Sequence, residues 1–217
     1  MSPELVEKIK KYYTHDDPSH DWSHILRVSN LCERFARELG ADLKVLIPAA
    51  YLHDIINIPK NSKHRHKASE LASKKSVEIL GESEFSSEEI TKIGTIVLEH
   101  SYSANISPSS IESAILQDAD KLDGMGAIGV MRWATVGCRM KASYYDLEDP
   151  WAENRELDDK SYSLDHFKTK LLKLYDRLNT APAKIEGQRR LDFYQSFLAQ
   201  LETEIVRDNF SSSTSNS

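Results

Sequence analysis

Apolar residues recur at intervals of three and four along almost the whole chain, and no segment alternates with the period of two that a half-buried strand requires. The stripes are explicit: Ile25, Val28, Cys32, Phe35 and Leu39; then Leu43, Leu46, Ile47 and Ala50; then Ile90, Ile93 and Val97. Further on come Leu164, Phe167, Leu171, Leu174 and Leu178, and finally Leu191, Tyr194, Leu198, Leu201 and Ile205. A chain patterned this way can bury its apolar surface only by packing helix faces against each other. With 217 residues, 40% of them hydrophobic, one core is enough. The expectation is an all-α fold: a single compact helical domain over residues 1–206, followed by a short polar tail, 207–217, too poor in apolar residues to order.

Start and stop signals divide the pattern. Ser2-Pro3 opens a short first helix to about Tyr13. A second runs from about Asp21 to Leu39 and stops at Gly40; Asp42 caps a third ending near His53-Asp54, with Pro48 predicting a kink or a later start. A fourth spans about His66 to Leu80. The capping box of Ser86 and Glu89 opens a fifth that ends at His100, and Ser107-Pro108 opens a sixth. Gly124, Gly126 and Gly129 loosen the chain before a seventh helix near Val130 to Cys138. Residues from about Lys141 to Tyr162 are polar and aperiodic, a long surface loop of the kind that often forms a lid or insertion.

Composition removes several function classes. The net charge is −6 and no long Lys/Arg run exists, so non-specific nucleic-acid binding is not expected. No stretch approaches the length of about 20 apolar residues needed to span a bilayer. Two cysteines, neither in a CxxC pair, and the lack of a signal-peptide pattern at the start point to a cytoplasmic protein.

Chemistry concentrates in three places. His20 and His24, in HDWSH, are four apart, the spacing that puts two side chains on one helix face. His53-Asp54 ends an otherwise small and apolar helix, where a charged group needs a partner or a metal. Asp118, Asp120 and Asp123 crowd the end of the sixth helix, where negative charge meets the negative end of the helix dipole and calls for a cation. Periodicity turns Asp118 inward and Asp120 toward another face.

Taken together, one His, a His-Asp pair and a distant Asp, each on a helix, form the pattern H…HD…D. Here the sequence resembles the HD-domain superfamily of metal-dependent phosphohydrolases. HDWSHILRV is similar to the helix carrying the first metal histidine, and AAYLHD to the helix that names the family. DADKLDGMGAIG, with the stretch Phe167–Arg190, resembles a small stand-alone subgroup that includes nucleoside-triphosphate pyrophosphohydrolases. The resemblance implies a metal held by His24, His53, Asp54 and Asp120. Asp120 is preferred to Asp118 because Asp-Lys-Leu resembles the segment supplying the last ligand in many HD proteins. Asp118 would then stand behind the ligands. It further implies that His66 and His100, with His20, bind a second ion or contact phosphate.

Two imidazoles and two carboxylates suit Mn²⁺ first, with Fe²⁺, Co²⁺, Ni²⁺ or Zn²⁺ compatible and Mg²⁺ preferring more oxygen. Arg27, Lys121 and Arg132 are the candidates for a substrate's negative charge. The implied substrate is a small phosphorylated molecule, nucleotide-like, attacked by metal-activated water. A phosphodiester, a nucleoside monophosphate, or a module that binds nucleotide or metal without turnover are the alternatives. A homodimer is among the oligomeric states left open. HDWSH is also close to the zinc-protease HExxH, with Asp21 in the place of the catalytic Glu, but that reading leaves His53-Asp54 and DADKLD without a role.

Overall fold

The computed structural model describes residues 1–13, 20–56, 58, 67–101 and 106–205. The tail at 207–217 and the expected helix start at His66 lie outside these residues. Nine α-helices are present among them: α1 Pro3–Lys10, α2 Trp22–Leu39, α3 Leu43–Leu52, α4 Ala68–Leu80, α5 Ser87–Glu99, α6 Ile111–Asp123, α7 Gly126–Met140, α8 Asp165–Thr169 and α9 Ala181–Ile205. The described residues contain no strand, only an isolated bridge between Ser143 and Tyr162. None of the helices is long and apolar enough to cross a membrane.

The caps read from the sequence form as side-chain hydrogen bonds. Ser2, Asp21, Asp42 and Ser86 each accept a backbone N–H in the first turn of their helix, and Ser86 and Glu89 close the full capping box. Gly40 ends α2 at φ 69°, a left-handed conformation that costs glycine little.

α3 is the innermost helix, packed against α2, α5 and α6, and Val45, Leu46, Ala49, Ala50 and Leu52 are all buried. Pro48 sits inside it without ending it. The ring removes one backbone donor, and the tight packing of small and branched neighbours holds the helix through it. α2 and α6 pack side by side, so the starts and ends of α2, α3, α5 and α6 meet in one region.

Three expectations are corrected. The glycine-rich run does not loosen the chain: α7 begins at Gly126 and includes Gly129, where a Cβ would overlap the Tyr194 hydroxyl and the Gly124 carbonyl. Those glycines allow α7 to lie close against α9. The leucine stripe from Leu164 to Leu178 is not one helix. It is α8, five residues long, followed by 3₁₀ turns at Leu171–Lys173 and Tyr175–Arg177. Leu171 and Leu174 are three apart, a spacing that also aligns side chains in 3₁₀ geometry, so both bury without an α-helix. Finally, α6 opens at the Ser110 cap instead of Ser107, and α9 begins at Ala181, far ahead of Leu191.

Candidate metal centre

Four helix ends bring the titratable groups together. His24 lies in the first turn of α2. His53 follows the last residue of α3, with Asp54 next to it, and His100 follows the last residue of α5. Asp120 lies in the last turn of α6. Three of these are C-terminal ends, whose dipoles carry partial negative charge, and two carboxylates add to it. The region is built to receive positive charge.

Each imidazole is oriented through Nδ1. His53 Nδ1 donates to Ala50 O at 2.8 Å, and His100 Nδ1 donates to Val97 O at 2.6 Å. His24 Nδ1 donates to Asp123 Oδ2 at 2.7 Å. This leaves Nε2 as the lone-pair nitrogen in all three rings. His24 Nε2 and His53 Nε2 then face each other at 3.2 Å, both fully buried. Two acceptors so placed repel unless a cation or a proton lies between them. Asp54 Oδ2 approaches them at 3.5 and 3.7 Å, and Asp120 Oδ1 lies 3.7 Å from His24 Nε2. The relevant atoms of His24, His53 and Asp120 all fall within 4.8 Å of one another. Ligands about 2.1 Å from a common ion lie roughly 3.0–3.4 Å apart at right-angled or tetrahedral geometry, so the set is slightly open but of the right size. The donors present fit a divalent ion.

The protonation pattern tells the same story without a metal. Burial disfavours a charge on His24, but the hydrogen bonds to Asp123 and Asp54 outweigh it and hold the ring up to about 9. Burial dominates at His53 and pushes it down to about 4. Burial alone would raise Asp54, but the charge of His53 and the hydrogen bonds to His100 and His24 hold it well below the usual carboxylate range. A proton on His24 thus takes the place a cation would occupy between the two rings.

The other expected site residues are distributed unevenly. His100 Nε2 lies 3.6 Å from Asp54 Oδ1, and His20 Nε2 lies 4.0 Å from Asp54 Oδ2 on the outer side of the centre. His20 precedes the cap of α2, so it does not share a helix face with His24 as the spacing suggested. His66 lies outside the described residues. Asp21 is turned away from the centre, accepting from Ser23 Oγ at 2.6 Å and from His24 N at 3.0 Å, which removes it as a protease-like base. Asp118 is buried, as periodicity predicts, but points to the start of α9. Its carboxylate accepts from Asn179 N, Asn179 Nδ2, Thr180 N and Thr180 Oγ1 at 2.8–2.9 Å.

Arg27 and Arg132 are not waiting for substrate alone. Both are engaged by Asp123: Arg27 Nε at 2.6 Å, Arg27 Nη2 at 3.0 Å and Arg132 Nη1 at 2.8 Å. Lys121 is buried, with Nζ donating to Gln117 Oε1 at 3.1 Å, and it also borders the cleft. Asp123 belongs to the crowded acids of the sixth helix, but the sequence pattern gives it no role of its own. It is 1% exposed and ties His24 to two arginines. Its signal was available: it lies one helical turn beyond Asp120 in DADKLD, where a third acid needs a compensating cation.

A cleft of about 490 Å³ opens from the centre. His20, Asp54, His100 and Asp120 line it, as do Arg132, Trp133, Val136 and Met140 of α7. That volume is in the range of small-molecule sites.

Comparison with known proteins follows the same lines. Residues 21–125 match the family model described as HD domain. YpgQ of Bacillus subtilis is 29% identical over 202 residues, covering 91% of this chain and 90% of that protein. Its crystal structure in complex with ADP has a TM-score of 0.71 and covers 93% of both chains at 27% identity. A crystal structure of an HD-superfamily hydrolase from Bacillus thuringiensis is 30% identical, with a TM-score of 0.71 and coverage of 93% of this chain and 94% of that one.

Proposed function

The chain belongs to the HD-domain superfamily, and from that premise we propose that it is a metal-dependent phosphohydrolase acting on a small nucleotide-like substrate. The observation that carries this reading is the facing pair of Nε2 atoms at 3.2 Å, flanked by Asp54 and Asp120, which also line a cleft. We assign His24, His53, Asp54 and Asp120 as the ligands of one divalent ion, Mn²⁺ being the first choice for this mixed N/O set. Such an ion supplies Lewis-acid stabilisation of phosphoryl charge and acidifies a coordinated water.

The protein's own groups do the rest. Ala50, Val97 and Asp123 fix the three imidazoles through Nδ1, so no reorganisation is needed when substrate arrives. His100 and His20 border the cleft beside Asp54, and His100, which Asp54 favours in its charged form, can donate from Nε2 to a phosphate oxygen when protonated. Arg132, pinned by Asp123, and Lys121 add positive charge to the same cavity. The ADP held by the YpgQ crystal supports a nucleotide as the ligand class. Both cysteines are free thiols, in keeping with the cytoplasmic setting we propose.

The test is a turnover panel with Mn²⁺: nucleoside triphosphates and monophosphates, cyclic nucleotides and bis(p-nitrophenyl) phosphate, each run beside Asp54→Ala. Metal-dependent release of phosphate or pyrophosphate that Asp54→Ala loses supports the reading. Hydrolysis that survives complete chelation sinks it, and nucleotide binding without turnover makes the protein a binding module.

A further inference from the structure

The cleft lined by Asp54 and Asp120 is lined also by Asp159, Lys160, His166 and Lys170. His166 sits on α8, a helix too short to stand alone, and its placement is secured by its neighbours. Asp165 is buried and takes two hydrogen bonds from the Arg155 guanidinium, at 2.6 and 2.8 Å, and one from Asp158 N at 2.7 Å. Phe167, also buried, packs edge-on against Tyr194 with ring centroids 5.1 Å apart and stacks on Phe197 at 5.9 Å. Between these anchors the His166 ring is itself oriented. Its Nδ1 lies 2.9 Å from Asp159 Oδ2, and Thr169 Oγ1 donates to the same oxygen at 2.8 Å.

A hydroxyl holding a carboxylate that holds an imidazole is an arrangement that fixes ring direction. The fold does not need it for stability: the core contact of α8 is Phe167, and His166 and Asp159 are only half-buried. The partly exposed pair contributes little binding energy to the fold as an ion pair. What the arrangement does accomplish is to fix an imidazole in the lining of the cavity that Asp54 and Asp120 also line, together with two lysines.

We propose that His166, with Lys160 and Lys170, forms a second anion-binding subsite that takes the phosphate-bearing part of a ligand whose other phosphoryl group lies at the metal centre. Asp159 and Thr169 are positioning residues, acting through His166. The inference deepens the proposed function and rests on it for the metal-held end alone. It requires a ligand with two linked phosphoryl groups, and inorganic pyrophosphate is the smallest probe of that kind; inorganic phosphate carries only one.

The experiment uses the full-length protein loaded with diamagnetic Zn²⁺. Calorimetry compares pyrophosphate and phosphate on wild type and His166→Asn, whose amide nitrogen can still reach Asp159. Nitrogen-15 spectra follow the His166 ring. Pyrophosphate should move the His166 signals, and His166→Asn should weaken pyrophosphate about tenfold, close to 1.4 kcal/mol, while leaving phosphate within twofold. Lys170→Gln gives the same comparison should His166→Asn not fold. Unmoved His166 signals, or equal pyrophosphate binding in the variants, overturn the subsite. Loss of hydrolysis from the panel with the His166 shifts intact would instead count against the phosphohydrolase reading and leave the subsite standing.

Discussion

Asp123 Oδ2 lies 2.7 Å from His24 Nδ1, and the same carboxylate is clamped by Arg27 and Arg132. One buried acid therefore decides which nitrogen His24 offers to the centre and where a cleft-wall guanidinium stands. Asp123→Asn preserves size but removes the charge that favours the Nδ1–H tautomer. Metal affinity is expected to fall 10–100-fold, the usual effect of losing an orienting partner behind a metal histidine. Calorimetric titration with Mn²⁺ checks this; unchanged affinity would show that His24 is oriented without Asp123.

Asp118 and Asp120 face different partners: Asp118 accepts from Asn179 and Thr180, and Asp120 Oδ1 lies 3.7 Å from His24 Nε2. Asp118→Ala leaves the backbone donors of Asn179 and Thr180 short of a partner where α9 begins, and should cost about 3 kcal/mol of stability with the metal count unchanged. Asp120→Ala should do the opposite, abolishing tight metal binding at little cost to the metal-free fold. Thermal melts and metal analysis of the two variants decide it; loss of metal from Asp118→Ala would reverse the assignment.

In the metal-free protein, His24 should titrate near 9 and His53 near 4. His24 is raised above its ordinary 6.5, so its contribution to stability is complete below that pH and lost as pH rises through about 9. His53 is depressed from 6.5, so it costs stability as pH falls from 6.5 toward 4, because the unfolded chain takes up a proton that the buried ring refuses. Metal uptake should then release a proton below pH 9, with apparent affinity rising about tenfold per pH unit between roughly 7 and 9. Ring-nitrogen NMR and proton-release calorimetry measure both; pH-independent uptake contradicts the assignment.

Bound metal should also stabilise the fold. At a free concentration about 100 times its Kd, a divalent ion that binds only the folded state adds about 2.7 kcal/mol. Melting temperature should rise with Mn²⁺ in wild type and stay fixed in Asp54→Ala. An equal rise in both would place the ion elsewhere.

Gly129→Ala tests the packing of α7. The added methyl meets the Tyr194 hydroxyl and the Gly124 carbonyl, which donate and accept a 2.6 Å hydrogen bond. Overpacking of this kind costs about 1–3 kcal/mol. Denaturant unfolding should show that loss, and an unchanged midpoint would mean that α7 can shift away from α9.

The helical class and the caps were legible in the sequence, and the resemblance to the HD pattern named His24, His53, Asp54 and Asp120, which the structure brings together. Periodicity and capping chemistry act over a few residues, so Asp21, Asp42 and Ser86 could be placed without knowing what they pack against. His53-Asp54 stood out because a charged group on an apolar helix end needs a partner, and His24 because of its spacing from His20 and the resemblance of H…HD…D to the HD domain. What remained undecided depended on long-range contacts. Asp118 and Asp120 sit in the same turn of the same helix, and only the arrival of Asn179 and Thr180 at one face shows which acid is spent on structure. Arg27 and Arg132 read as substrate cations until Asp123, far from Arg27 in sequence, is seen between them. His166 carries no signal in the sequence, because its place in the cleft exists only once α6, α7 and α8 have folded around it. Local chemistry is written in neighbouring residues; which buried charges balance each other is settled only when the helices meet.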